Sequence, residues 1–370
     1  MINKTTYSDS GVNIELGNEV SKILYNAAKK TWNNRKSMLG EVIVPFDDFS
    51  GVRAIDVSNL QKGTLMNIGF DGIGTKIEFA ERINNHETIA YDLFAMVCDD
   101  AIVRGAEPVL IGSNLGFKSL GNNDENYLKE VRQLAKGYVN AAKAANVAVV
   151  NGETAELGNR IGGYGNFNYN WDATVVWFAK QDRLFTGKKV QEKDYIVGLK
   201  EEGFRSNGLS LVRKILFDNH GINWHEYLFE GESIAKTALK PSRIYSVAVI
   251  DMFGGYSGEP KVDIHGIAHI TGGGLPEKLG RVLKPSGLGA KIDDPFEPSN
   301  LVLYCQEKGN VSDEEAYKTW NMGQGMTIIT PEPEKVMDIA FKHDINSKII
   351  GTISSKKGID IISKGYFSKI

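Results

Sequence analysis

Residues 126–153 read NYLKEVRQLAKGYVNAAKAANVAVVNGE. Leu128, Val131, Ala135, Tyr138 and Ala142 recur at steps of three and four, which lays an apolar stripe along a helix over 126–146. Val147-Ala148-Val149-Val150 follows at once as a short buried strand and delivers Asn151-Gly152-Glu153. A helix feeding a buried strand that ends in an acid among glycines is the unit of an α/β layer protein, and strand ends are where such proteins bind ligands.

The same pattern extends outward. Thr64–Phe70 alternates weakly and runs into Asp71-Gly72-Ile73-Gly74-Thr75-Lys76, a second strand that ends in an acid. Helices are predicted over 19–30 and 88–104 and a strand over 173–179, with loop and short strands in the polar stretch before Ser58. Gln181–Asp194 is polar, and a new strand opens at Tyr195-Ile196-Val197-Gly198-Leu199. This places a domain split near residue 187, giving an N-terminal domain of 1–187 and a C-terminal domain of 188–370. The second half reads as helices over 208–219 and 243–253, then strands at 326–330 and 349–353 flanking a helix at 333–342. The fold class is α/β, of the α+β type, in two domains.

Composition excludes several functions. The 370 residues hold 43 Lys+Arg against 46 Asp+Glu, and a net charge of −3 gives no electrostatic basis for general nucleic-acid binding. No apolar run approaches the roughly 18 residues of a membrane span. Cys98 and Cys305 cannot make a disulfide framework or a four-sulfur metal site, and the six histidines show no HExxH. A soluble, cytoplasmic protein is expected. The 40 glycines, about 11% against a usual 7% or so, cluster beside polar residues, as backbone brought close to a ligand would require. Tight turns explain any single one of them equally well.

Tyr91–Val103 holds Asp92, Asp99 and Asp100 in an otherwise apolar helix. At about 100° per residue the three share one face, with no basic residue before Arg104. Acids gathered without internal partners repel one another unless a cation is supplied, and Mg²⁺ shared with phosphate is the candidate. A plain polar helix face is the alternative. With Asp71 and Glu153 at strand ends, and Lys76 placed to neutralise phosphate, the set reads as a Mg–nucleotide site. Known phosphate motifs do not account for it. GxGxxG fails at Ile77, and Thr186-Gly187-Lys188-Lys189 lacks both the first glycine and the Ser/Thr of a P-loop. Two further loops, Ser206-Asn207-Gly208 and Thr271-Gly272-Gly273-Gly274, precede helices and read either as anion sites or as simple caps made by Ser206 and Thr271. His265 and His269, four apart, are candidates to line the approach to Thr271.

These motifs occur in a recognisable order. Tyr7-Ser8-Asp9-Ser10-Gly11-Val12, Gly17-Asn18, Asp71 to Lys76, Arg104-Gly105-Ala106-Glu107-Pro108 and Gly152-Glu153-Thr154-Ala155-Glu156 are followed by Ser206 to Lys214. Pro241-Ser242-Arg243-Ile244-Tyr245, His265 to Gly274 and Asn321-Met322-Gly323-Gln324-Gly325-Met326 complete the series. The ordered set resembles the phosphoribosylformylglycinamidine cyclo-ligases, or aminoimidazole ribonucleotide synthetases, of purine biosynthesis. The resemblance implies a homodimer joined through its N-terminal mixed sheets, an α/β layer C-terminal domain, and ATP bound with Mg²⁺ on the N-terminal domain. It implies Asp71, Asp100 and Glu153 as metal ligands, and Gly72, Gly74, Thr75, Lys76 and Gly152 with Asp71 and Glu153 around ATP. Lys76, Asp71 and Asn207 would be catalytic, and Asn207, Gly208, His269, Thr271, Gly272, Gly273 and Gly274 would face the substrate. No nucleic-acid or membrane partner is implied.

Members of the family often carry Lys where Tyr25 stands, His where Arg205 stands, and Asp where Ser113 stands. Arg205 keeps a donor but cannot act as a base, because guanidinium stays protonated. The alternative reading is an ATP-binding paralogue that is non-catalytic or acts on another substrate, such as a small-molecule kinase.

Overall fold

The computed structural model describes residues 12–45, 53–122 and 124–368. The Tyr7–Gly11 part of the motif series lies outside them. Two sheets carry the architecture. The first has four strands in the order 64–72, 169–180, 107–117 and 148–156, of which only the last pair is parallel. The second has six, in the order 266–269, 324–330, 195–200, 347–354, 289–292 and 359–361.

In the first sheet the burial pattern of Tyr169–Lys180 alternates, with Tyr169, Trp171, Ala173 and Val175 inward. Those residues face the helices Ile14–Thr31, Ile89–Ile102 and Leu128–Ala145, so one side of the sheet is packed and the other is open. The helix expected over 126–146 spans Leu128–Ala145, with Val131, Leu134, Tyr138, Ala141 and Ala145 in the core. Asn146, in the left-handed region at φ 54°, turns the chain into the next strand. The central strand Glu107–Phe117 was not expected, because Pro108, Gly112 and Gly116 break the apolar alternation that marks a strand. Its pairing with both neighbours imposes the extended form.

Under this sheet His86 sits among Phe167 and Tyr169, with Nδ1 3.0 Å from the Tyr169 hydroxyl and Nε2 3.2 Å from Asn84 Oδ1. Burial pushes its pKa down from 6.5 to about 4. The unfolded chain therefore binds a proton that the folded chain refuses as pH falls below 6.5. The penalty is absent above that pH and grows to its full value near pH 4. We expect the urea midpoint of the parent to fall more steeply than that of His86→Gln between pH 7 and pH 5. Parallel midpoints would show that His86 does not stay neutral in the fold.

Candidate active site

The helix Ile89–Ile102 turns its acids toward the C-terminal half, and each of the three finds a partner there. Asp92 is fully buried, takes a 2.7 Å bond from Lys76 Nζ and accepts from the Ser242 hydroxyl. Asp99, also fully buried, accepts from Arg205 Nη2 at 3.0 Å and from the Tyr245 backbone N–H at 3.0 Å. Asp100 remains 58% exposed and lies 2.7 Å from His269 Nδ1. The expectation that these acids lack internal partners is thus corrected. Their partners stand 106 to 169 residues further along the chain for Arg205, Ser242 and His269, where sequence spacing gives no sign of them.

Lys76 is corrected in the same way. Its ammonium is fully buried between Asp92 and the Lys240 carbonyl, 2.6 Å away, and does not face the open surface at Asp71. Lys278 lies near this surface, and its charge lowers the pKa of both Asp71 and Asp100. It lies on the helix Gly274–Leu283, one turn beyond the glycine loop, and nothing in its local sequence distinguishes it from a solvated lysine.

The three-carboxylate cluster expected at Asp71, Asp100 and Glu153 is not assembled. Among the described residues no three His, Cys, Asp or Glu side chains gather as a metal site. Register is the reason. Asp71 pairs with Ala173, whose side chain is inward, whereas Glu153 pairs with Asn114, which pairs with Asp172 on the open face. Paired residues project to the same side of a sheet and neighbours alternate, so Asp71 and Glu153 leave the sheet on opposite faces. Asp71 lies near enough to Asp100 to feel its charge, and Asp71, Gly72, Asn114, Asn151, Glu153 and Asp172 all line one groove of about 640 Å³. Asp71 has access to solvent, yet surrounding protein crowds its carboxyl and raises its pKa, and the charges of Asp100 and Asp172 raise it further against the Gly72 N–H. Burial opposes ionising Asp100 more than any single neighbour favours it, but the hydrogen bond from His269 and the charges of Lys278 and Arg205 together outweigh it and hold that carboxyl below its ordinary range. Two hard-oxygen acids, one raised by the charge of the other, suit a Mg²⁺ that shares its shell with phosphate.

The two glycine loops meet. The Asn207 amide rests on Met96 Sδ at 3.8 Å, and a Cβ placed on Gly272 would lie 3.5 Å from Asn207 Oδ1. Thr75 Oγ1 lies 3.2 Å from Ser210 Oγ, which ties the Asp71–Lys76 loop to the start of the helix Leu209–His220. That helix and Gly274–Leu283 both begin at a left-handed glycine with no side-chain cap, so Ser206 and Thr271 do not fill the cap positions. The first-turn N–H groups of Leu209–His220 are left for an anion, whereas in Gly274–Leu283 the Gly274 N–H goes to the Thr271 carbonyl, Pro276 has none and the Glu277 N–H goes to the Gly273 carbonyl. Gly208 and Gly274 have φ of 73° and 62°, and a Cβ there would strike the Trp320 ring and the Tyr317 carbonyl. These two glycines make room for the helix Asp313–Thr319 and its end as much as for a ligand. His265 is turned away, bonded at Nδ1 to Asp194 at 2.7 Å and at Nε2 to Asp263 at 3.2 Å.

Two profiles of AIR synthase related proteins match the chain, the N-terminal domain over residues 53–176 and the C-terminal domain over 191–364. The chain belongs to this family. The phosphoribosylformylglycinamidine cyclo-ligase of Acetivibrio thermocellus is 32% identical over 96% of this chain and 99% of its own length. That of Desulfotalea psychrophila is 34% identical over 95% and 94%. That of Methanococcus vannielii is 37% identical over 78% of each. Among solved structures, a thiamine-monophosphate kinase of Stenotrophomonas maltophilia matches with a TM-score of 0.62 at 14% identity, over 93% of this chain and 96% of its own. HypE of E. coli matches at 0.61 and 13%, over 93% and 92%. At such identities the likeness is one of fold alone.

The three departures from the family pattern fall in two places. Tyr25 and Ser113 line one cavity of about 270 Å³ under the first sheet, with Trp32, Arg53, Tyr138 and Trp171. There Tyr138 donates to Ser113 Oγ at 2.7 Å, and the Arg53 guanidinium lies 4.8 Å from the centre of the Tyr25 ring. Arg205 instead lies at the junction of the two halves, fully buried with Asp99 and Glu201.

Proposed function

We propose that this chain is an ATP-dependent cyclo-ligase. It converts formylglycinamidine ribonucleotide and ATP to aminoimidazole ribonucleotide, ADP and phosphate. What supports the reading is that loops of both halves come together beside the helix that carries Asp100: Asn207 lies against Gly272, His269 bonds Asp100, and Thr75 lies 3.2 Å from Ser210. Nearly full-length likeness to cyclo-ligases supports it.

Mg²⁺ held at Asp71 and Asp100 supplies charge neutralisation for the triphosphate. The chain's own groups do the rest by positioning, which is the main resource of phosphoryl-transfer enzymes. The N–H groups opening Leu209–His220 hold phosphate oxygens, Lys278 draws anions toward the acids, and the Asn207 amide orients the substrate. A formyl oxygen is a poor leaving group until it is phosphorylated. The amidine nitrogen then attacks the same carbon, closes the five-membered ring and expels phosphate. Holding both groups in one cleft makes closure effectively unimolecular and keeps water from the reactive iminophosphate.

Incubating the purified protein with formylglycinamidine ribonucleotide, ATP and Mg²⁺ should yield the aminoimidazole product and ADP in equal amounts. ADP without that product would redirect the assignment to a kinase. ATP binding without turnover would favour a non-catalytic paralogue.

The protein is also proposed to act as a homodimer through the strand Thr64–Gly72. This is an edge strand of its sheet, and Met66, Ile68 and Phe70 stand 60%, 46% and 71% exposed along it. A bare apolar edge normally pairs or aggregates. Sedimentation should give twice the mass of one chain, and a monomer at micromolar concentration would end this part of the reading.

A further inference from the structure

Arg205 is a long charged side chain at φ 58°, in a region such residues rarely occupy, and it is fully buried. Its guanidinium is spent on four acceptors. Nη1 donates to Glu201 at 2.8 Å and to the Arg243 carbonyl at 2.9 Å. Nη2 donates to Asp99 at 3.0 Å and meets His269 Nε2 at 2.7 Å. A guanidinium has no acceptor atom, so at that distance Nε2 must present its lone pair. The ring hydrogen is then on Nδ1, which lies 2.7 Å from Asp100 Oδ1. The tautomer follows from the identity of residue 205, because only a permanent donor at Nε2 forces the hydrogen to the other nitrogen.

The three residues also lie beside the loops of the site. Arg205 immediately precedes Ser206-Asn207-Gly208, His269 ends the strand that leads into Thr271, and Asp100 lies on the last turn of its helix. We propose that Arg205 is a positioning residue that acts through His269, locking its Nδ1–H on the Asp100 carboxylate so that this acid is held toward Asp71. One Asp100 oxygen is committed to His269 and the other is left for a ligand. His269 has no free lone pair in this arrangement and does not serve as the proton acceptor for the reaction. The proposal rests on the Mg–ATP reading of Asp71 and Asp100 above.

The test uses the full chain. Nitrogen NMR of protein labelled with ¹⁵N-histidine should show His269 as the Nδ1–H tautomer. An Nε2–H signature would overturn the relay without the need for any variant. Calorimetric titration with ATP, with and without Mg²⁺, gives a second readout. His269→Leu should weaken Mg-dependent ATP binding by about ten- to a hundredfold, the usual cost of removing a partner that orients a metal ligand. His269→Gln, whose amide both accepts from Arg205 and donates to Asp100, should stay within about threefold of the parent on the same grounds. A His269→Leu protein that binds like the parent would refute the positioning role while leaving the Mg–ATP reading intact. A parent that shows no Mg-dependent ATP binding would remove that reading and the proposal with it.

Discussion

Asp71→Asn is expected to cut Mg-dependent ATP turnover by at least about a hundredfold, roughly 2.7 kcal/mol of transition-state stabilisation, while the protein melts where the parent does. The side chain is exposed, and its one hydrogen bond comes from the N–H of its own neighbour, Gly72, so the fold does not depend on it. Its carboxyl is instead held at a disadvantage. Crowding by protein raises its pKa, and Asp100 and Asp172 raise it further. Removing the charge relieves that repulsion, and the variant should be no less stable than the parent. On the proposed function it would lose one of two hard-oxygen ligands for Mg²⁺, and a neutral amide cannot replace that charge. ADP release measured at saturating ATP and a fixed Mg²⁺ concentration decides the point. Undiminished turnover would take Asp71 out of the site.

Lys76→Met is expected to destabilise the protein by about 3–5 kcal/mol, because it leaves Asp92 buried and ionised with no cation beside it. Asp92 is fully buried, and Oδ2 already lacks a partner, so the Ser242 hydroxyl alone cannot offset the loss. The double variant Lys76→Met/Asp92→Leu removes both charges and should regain most of the lost stability, since a buried pair replaced by apolar groups is often neutral. Urea unfolding of the parent, the single and the double variants measures this. A Lys76→Met protein as stable as the parent would mean that the ammonium is not committed to Asp92. The double variant also separates the two roles of Lys76. If the lysine is structural, ATP turnover survives in it; if turnover disappears from a stable double variant, the ammonium reaches phosphate in the working enzyme after all.

Both experiments concern residues whose type was visible in the chain and whose role was not. The loop Asp71-Gly72-Ile73-Gly74-Thr75-Lys76 stands out by composition, yet its two charged ends do opposite things. Asp71 closes a strand and stays open to solvent, while Lys76 lies in the turn of helix that follows and points into the protein. The face shared by Asp92, Asp99 and Asp100 follows from helical geometry and is present in the structure. Its meaning changed because Lys76, Arg205, Ser242 and His269 are brought to it by folding. Glu153 shows the same limit from another direction. The sequence puts it at the end of a strand over 147–150, whereas the strand runs on to Glu156, and which face of the sheet Glu153 leaves is set by the pairing of four strands.

The periodicity of apolar residues by itself located the helices read at 19–30, 88–104, 126–146 and 333–342, which fold as 14–31, 89–102, 128–145 and 333–342, because that signal is carried by neighbours three or four apart. The ordered motifs determined the family. Only the tertiary structure decided which partners the acids meet, that the Lys76 ammonium is committed to Asp92, and that Arg205 reaches Asp100 through a histidine. The physical reason is that a charge takes its role from whatever lies within a few ångströms, and in this chain those partners are separated by up to 169 residues.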